Sequence, residues 1–205
     1  MIMPFKRIFI IVPAAVDTSP VKGAAALANS LSEFVPVTFV SLKYSKPDID
    51  FLNKDIERLM FSKNELWYRK FLILRRLIKN TGTKGDVATI SLGLSADFFN
   101  ICFKNIAITC ASVRGNLPVV YVNTYGFAGK LIAYFHLKSL KKLTCVVSMT
   151  NSMSIQVQRY IGHKSPVIGN FVDESRLSIY RGERRVEKTY RFIFIGSLIK
   201  GKQVF

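Results

Sequence analysis

Short apolar runs of strand length recur along this chain, and helix-length stretches separate most of them. Residues 8–12, 35–42, 86–91, 105–111 and 143–149 read as strands, with a short one at 166–168. Residues 24–34, 52–79, 96–104 and 151–161 read as helices, and 125–142 as a mixed loop and helix. Strands alternating with helices imply right-handed βαβ units, hence an α/β, doubly wound, mostly parallel sheet of Rossmann-like type. Such sheets bind ligands in the loops beyond the carboxyl ends of their strands. The loops after Val12, Leu42, Ser91, Ala111 and Met149 are therefore where function is expected. Residues 173–190 are charged and lack periodicity, as a linker does. Residues 191–195 then start a new strand close to the end of the sequence at Phe205. The expected organisation is a domain over 1–172, a linker over 173–190 and the beginning of a second domain over 191–205.

Composition narrows the classes. With 49% hydrophobic and 21% charged residues, 205 residues suffice for a packed core. No apolar run approaches the roughly 18 residues of a membrane-spanning helix. The run after Lys6 and Arg7 is short and interrupted by Pro13, so it reads as a buried strand and not as a secretory signal. Cys102, Cys110 and Cys145 form no paired pattern and are expected as reduced core thiols, consistent with a cytoplasmic protein. A net charge of +17 points to an anionic partner.

Three loop segments carry candidate chemistry. Gly23 follows the first loop, where exposed backbone amides favour anions; there is no GxGxxG dinucleotide fingerprint. Ser112-Val113-Arg114-Gly115-Asn116-Leu117-Pro118 pairs a forked cation with turn residues, as an anion site or a solvated turn would. Tyr125-Gly126-Phe127-Ala128-Gly129-Lys130 places two glycines and a cation before a helix, as an anion site or an ordinary helix start would. His136 and His163 stand without partners at metal-ligand spacing, so no metal is expected. No Gly-x-Ser-x-Gly elbow appears, which disfavours a hydrolase.

These segments, with His136 in the following helix, Val146-Val147-Ser148-Met149 and Val167-Ile168-Gly169-Asn170-Phe171-Val172-Asp173, resemble family-4 glycosyltransferases that build bacterial surface polysaccharides. Phe192-Ile193-Phe194-Ile195-Gly196-Ser197-Leu198 through Lys202 resembles the opening of such enzymes' second domain. The resemblance implies a GT-B architecture whose first domain binds the acceptor and whose second binds a nucleotide sugar. It implies glycosyl transfer with retention, without a metal or other cofactor. The acceptor would be a lipid-linked glycan of polysaccharide or lipopolysaccharide assembly. It places Gly23, Arg114, Gly115, Asn116, Tyr125, Gly126, Lys130, Ser148 and Asn170 around the cleft, and Lys202 on the donor diphosphate. Arg114 stands where many relatives carry a histidine, Gly23 where many have a glycine pair, and Ser197 where many have an arginine. The donor domain's acidic motif is missing from this sequence, so the chain is expected to be inactive by itself.

Within 52–79, Leu66, Trp67, Phe71, Ile73, Leu74, Leu77 and Ile78 fall on one arc at helical spacing. Arg69, Arg75, Arg76 and Lys79 fall opposite, and Lys70 intrudes on the apolar arc. Such a helix packs on a sheet or docks on an anionic membrane. In the docking version, Trp67, Arg69, Arg75 and Arg76 meet the inner face of the plasma membrane, placing the protein as a peripheral cytoplasmic one. The competing reading is a non-catalytic basic module for membrane or nucleic acid. The chain shows no RNP, zinc-finger or helix-turn-helix signature, so no nucleic-acid partner is expected.

Overall fold

The computed structural model describes residues 5–16, 18–43 and 51–170. The chain divides into Met1–Val172 and Asp173–Phe205, and the second unit lies outside the described residues. So do the expected linker, the strand at 191–195 and Lys202. The elements run β1 (Arg7–Val12), α1 (Ser19–Ser32), β2 (Val37–Ser41), β3 (Glu57–Met60), α2 (Trp67–Thr81) and β4 (Val87–Ser91). They continue with α3 (Leu94–Ile101), β5 (Ile108–Val113), α4 (Leu117–Tyr125), α5 (Ala128–Ser139), β6 (Cys145–Ser148) and α6 (Asn151–Ile161).

All six strands are parallel, in the order β3-β2-β1-β4-β5-β6. This is the Rossmann-like α/β sheet that the alternation implies. β1 is central and reads Ile-Phe-Ile-Ile-Val after Arg7, because both of its faces are covered. Ile8, Ile10 and Val12 pack toward α1, while Phe9 and Ile11 pack toward Leu74 and Ile78 of α2 and Phe99 of α3. Ala111, Val113 and Val146 pack with Leu137 of α5 and Val157 and Ile161 of α6. Gly23, Ala24, Ala25 and Ala28 are all buried, so small residues line the face that α1 lays on the sheet.

The structure departs from the sequence reading in four places. The stretch 52–79 is not one helix: Glu57–Met60 is an edge strand paired with β2, and α2 begins at Trp67. Glu57-Arg58-Leu59-Met60 carries helix-forming residues, but the open edge of β2 overrides that weak preference, with Arg7 bonding both Thr38 and Glu57. α1 starts at Ser19, five residues before its expected start, because Pro20 in a first turn costs no hydrogen bond. Residues 117–125 form a helix, capped by Asn116, whose side chain accepts from the Val119 amide at 3.4 Å. Cys102 is exposed and not a core thiol, while Cys110 and Cys145 are half-buried.

α2 turns only part of its apolar arc inward. Leu74 and Ile78 are buried, whereas Leu66, Trp67 and Ile73 are exposed. The intruding Lys70 is buried, and its ammonium donates to the Leu42 carbonyl at 2.7 Å at the end of β2. That bond satisfies a cation which burial would otherwise penalise.

A buried polar chain fastens α3, α4 and α5 to the sheet. The Tyr121 hydroxyl stands 2.7 Å from His136 Nδ1, and His136 Nε2 stands 2.9 Å from Asp97 Oδ2. Ser91 Oγ donates to Asp97 Oδ1 at 2.6 Å, and Asn100 Nδ2 donates to Ser91 Oγ at 3.0 Å. His136 is 1% and Asp97 2% exposed. An imidazole protonated at Nε2 satisfies this geometry, with Tyr121 donating to Nδ1. Burial pushes the Asp97 carboxyl above the ordinary carboxylate range, partly offset by its bonds to His136 and Ser91.

Asp97→Ala leaves the buried His136 Nε2–H and the Ser91 hydroxyl without their acceptor and is expected to cost about 3 kcal/mol in denaturant unfolding. Tyr121→Phe is expected to cost about 1 kcal/mol. A raised carboxyl keeps its proton in the folded state over a window where the unfolded chain has lost it. Its contribution is therefore greatest in acid and falls as pH rises through the folded value. Wild-type stability should accordingly fall relative to that of Asp97→Asn as pH rises above about 4. A parallel pair of curves would contradict this.

Candidate functional site

A cavity of about 460 Å³ opens at the carboxyl ends of β1, β4 and β5. This is the point where strand order reverses: α1 leads from β1 to one side, and α3 follows β4 on the other. Its wall is mainly apolar, with Val12, Pro13, Val21, Leu92, Leu117 and Val120. Its polar groups are few. Ser112 stands near the end of β5 and Thr18 and Arg114 on loop ends, and Tyr121, His136 and Asp97 bring the buried polar chain to the cavity. Few converging polar groups in an apolar cleft are what orient a small ligand. Burial, together with the Asp97 charge and Tyr125, pushes the Tyr121 phenol up, so its hydroxyl stays protonated at neutral pH.

Arg114 lies beyond β5 and is partly buried, which lowers its guanidinium pKa. It remains a cation at neutral pH. Its Nε donates to Ser112 Oγ at 3.4 Å and its Nη1 to Asn170 Oδ1 at 3.1 Å. Gly23 packs directly beneath: a Cβ there would collide with the Arg114 guanidinium and crowd Asn170. Three residues far apart in sequence thus meet at one point, and the missing side chain of Gly23 is what admits the arginine.

The other candidates scatter around this point. Gly115 and Tyr125 line the same cavity, Tyr125 with half its surface exposed. Asn116 caps α4 and accepts from Gln156 Nε2 at 2.7 Å. Gly126 ends α4 at φ +61°, a conformation that favours glycine. Lys130 does not share the cavity with Arg114. It lines a separate concavity of about 470 Å³ with Pro118, Val122 and Tyr160. Ser148 is fully buried, its Oγ bonded to Ser165 Oγ at 2.6 Å, and it is not among the cavity residues. Trp67, Arg69, Arg75 and Arg76 are exposed on α2, with the Trp67 ring stacked on Phe71 and edge-on to Phe99. Among the described residues, no three His, Cys, Asp or Glu side chains gather as metal ligands would.

The sequence reading did not single out Asp97 or Tyr121, and it weighed His136 only as a metal ligand and as part of the family pattern. One signal for Asp97 was present: between Asp86 and Asp173 it is the sole carboxylate, placed in an apolar helix. An ionisable residue in such a run needs a partner.

No protein-family model matches the chain, and no curated protein matches it. Among solved structures it is similar to a UDP-glucosyltransferase from Polygonum tinctorium capable of glucosylating indoxyl, solved with 3,4-dichloroaniline. The TM-score is 0.51 at 12% identity, over 81% of this chain and 52% of that one. It is also similar to a UGT transferase from Siraitia grosvenorii in complex with UDP, with TM-score 0.51 at 8% identity, over 85% and 55%. The chain spans about half the length of these proteins. At such identities the likeness concerns the fold: the chain has the Rossmann-like α/β fold found in these GT-B glycosyltransferases.

Proposed function

We propose that this chain is the acceptor-side half of a retaining, family-4-like glycosyltransferase. In this reading it serves transfer from a nucleotide sugar to a lipid-linked oligosaccharide in polysaccharide or lipopolysaccharide assembly. The observation that carries the proposal is the convergence of Gly23, Arg114 and Asn170 beside the apolar cavity at the strand-order reversal. The cation suits a phosphate or diphosphate, and the apolar wall suits the body attached to it. The neighbours named for UDP-sugar chemistry support the same class. A donor domain would supply the nucleotide-sugar site, with Lys202 on its phosphates.

In this proposal the exposed Arg69, Arg75 and Arg76 of α2, with Trp67, bring the protein to the anionic inner face of the plasma membrane. Among the described residues no helix is long and apolar enough to cross a membrane.

Two measurements follow. A diphosphate-linked oligosaccharide lipid in detergent should bind the wild-type chain. Arg114→Ala should weaken that binding roughly tenfold or more, and Gly23→Val comparably, because its side chain displaces Arg114. Unchanged affinity in both variants, or full competition by an oligonucleotide, would refute the reading. Separately, Arg75→Glu with Arg76→Glu should lower partitioning onto anionic vesicles by about tenfold or more, since each charge near the surface is worth about 1 kcal/mol. Equal partitioning would remove α2 from the membrane contact.

A further inference from the structure

α5 is amphipathic in the reverse of the usual sense. Its inward face carries Gly129, Ala133, His136 and Leu137, all buried. A Cβ on Gly129 would collide with the Tyr121 carbonyl, so α4 and α5 cross in close contact there. The outward face repeats large apolar residues at helical spacing. Phe127 is 79%, Leu131 58% and Phe135 61% exposed, with Tyr134 beside them. Three such positions at i, i+4 and i+8 form one stripe. Core packing does not require them, since the core contacts of α5 are made by the opposite face. The α4 residues Val119, Val120 and Tyr125 are exposed as well, and the last two line the mouth of the cavity.

Lysines frame the stripe. The Lys130 ammonium lies 5.4 Å from the Phe127 ring centre, and Lys138 lies 5.3 Å from that of Tyr134. Lys141 and Lys142 follow at the end of the helix and are exposed. Residues 98–172 contain no Asp or Glu and eight Lys or Arg. The carboxylate nearest in sequence before them, Asp97, is buried. A soluble partner recognised through aromatic residues would not demand a surface stripped of every carboxylate. A sheet of anionic headgroups over an apolar layer demands both halves of this pattern.

We infer that the outward face of α5 is a bilayer-contact surface. Phe127, Leu131 and Phe135 enter the headgroup–acyl boundary of an anionic membrane, and Lys130, Lys138, Lys141 and Lys142 lie along the headgroups. The inference deepens the membrane placement proposed above but stands on residues outside α2. It puts the cavity mouth, through Val120 and Tyr125, against the layer in which a lipid-linked substrate sits.

The test is sedimentation of the full chain with vesicles of phosphatidylcholine, with and without phosphatidylglycerol, free of glycan and nucleotide sugar. Phe127→Ser/Leu131→Ser/Phe135→Ser should partition at least about tenfold more weakly than wild type onto the anionic vesicles. Arg75→Glu/Arg76→Glu provides the comparison. Raised salt screens surface charge, so the residual binding it leaves should persist in the α2 variant and vanish in the α5 variant. The replaced side chains face solvent, so both variants should unfold at the wild-type denaturant midpoint. Leu131→Lys, which keeps the charge favourable but removes the apolar centre, gives a second reading and should also weaken binding. Wild-type partitioning by both α5 variants would overturn the inference. So would failure of the wild type to bind anionic vesicles, or a vesicle-free dimer of the wild type that the triple variant abolishes. Vesicle binding without glycan binding would defeat the glycosyltransferase reading alone.

Discussion

The parallel pairing of β1 with β2 on one side and β4 on the other sets the position of every loop at the carboxyl edge of the sheet. Because connections leave in opposite directions from these two strands, a crevice must open between them. The crevice is lined by what the strands deliver there: Val12 and Pro13, Leu92 and Gly93, Ser112 to Gly115. β1 can be buried on both faces only because it is apolar from Ile8 to Val12, and the fixed register of the strands leaves the loop residues little choice of place.

Polar groups enter this apolar frame in two organised sets. One is the chain Tyr121–His136–Asp97–Ser91–Asn100, which joins three helices to β4. Each member has a partner, so burial that would penalise any one alone is tolerated. The other is Arg114 with Asn170 and Ser112, seated over Gly23. The first set is buried and lies beneath the cavity. The second holds a cation at its rim. A scaffold beneath and an anchor above is an arrangement suited to holding an anionic group attached to an apolar body.

Charge is distributed with the same division. Carboxylates are absent from residues 98–172, the half of the domain that carries β5, α4, α5, β6 and α6. Among the described residues of this half, the most exposed aromatic side chains, Phe127 and Phe135, stand just before and on α5. The high net charge is thus not spread evenly over the domain. It accompanies an apolar surface, which is why the two features are better explained together than separately.

The α/β class was legible in the sequence, because the period of apolar residues reports burial directly, and with it the strand-end loops beside which the cavity opens. The same was true of the carboxyl-edge loop that carries Arg114 and of the cation-rich face of α2, whereas Gly23 lies within α1 and not in the loop before it. What failed was local preference against context. Glu57-Arg58-Leu59-Met60 reads as helix, yet the open edge of β2 recruits it as a strand. Lys70 reads as an intruder, yet the Leu42 carbonyl receives it. Only the tertiary structure could bring Gly23, Arg114 and Asn170 together, place Lys130 in a different concavity, or seat Asp97 against His136. Those relations depend on which strands neighbour one another and how closely helices cross, and sequence periodicity carries neither distance nor order.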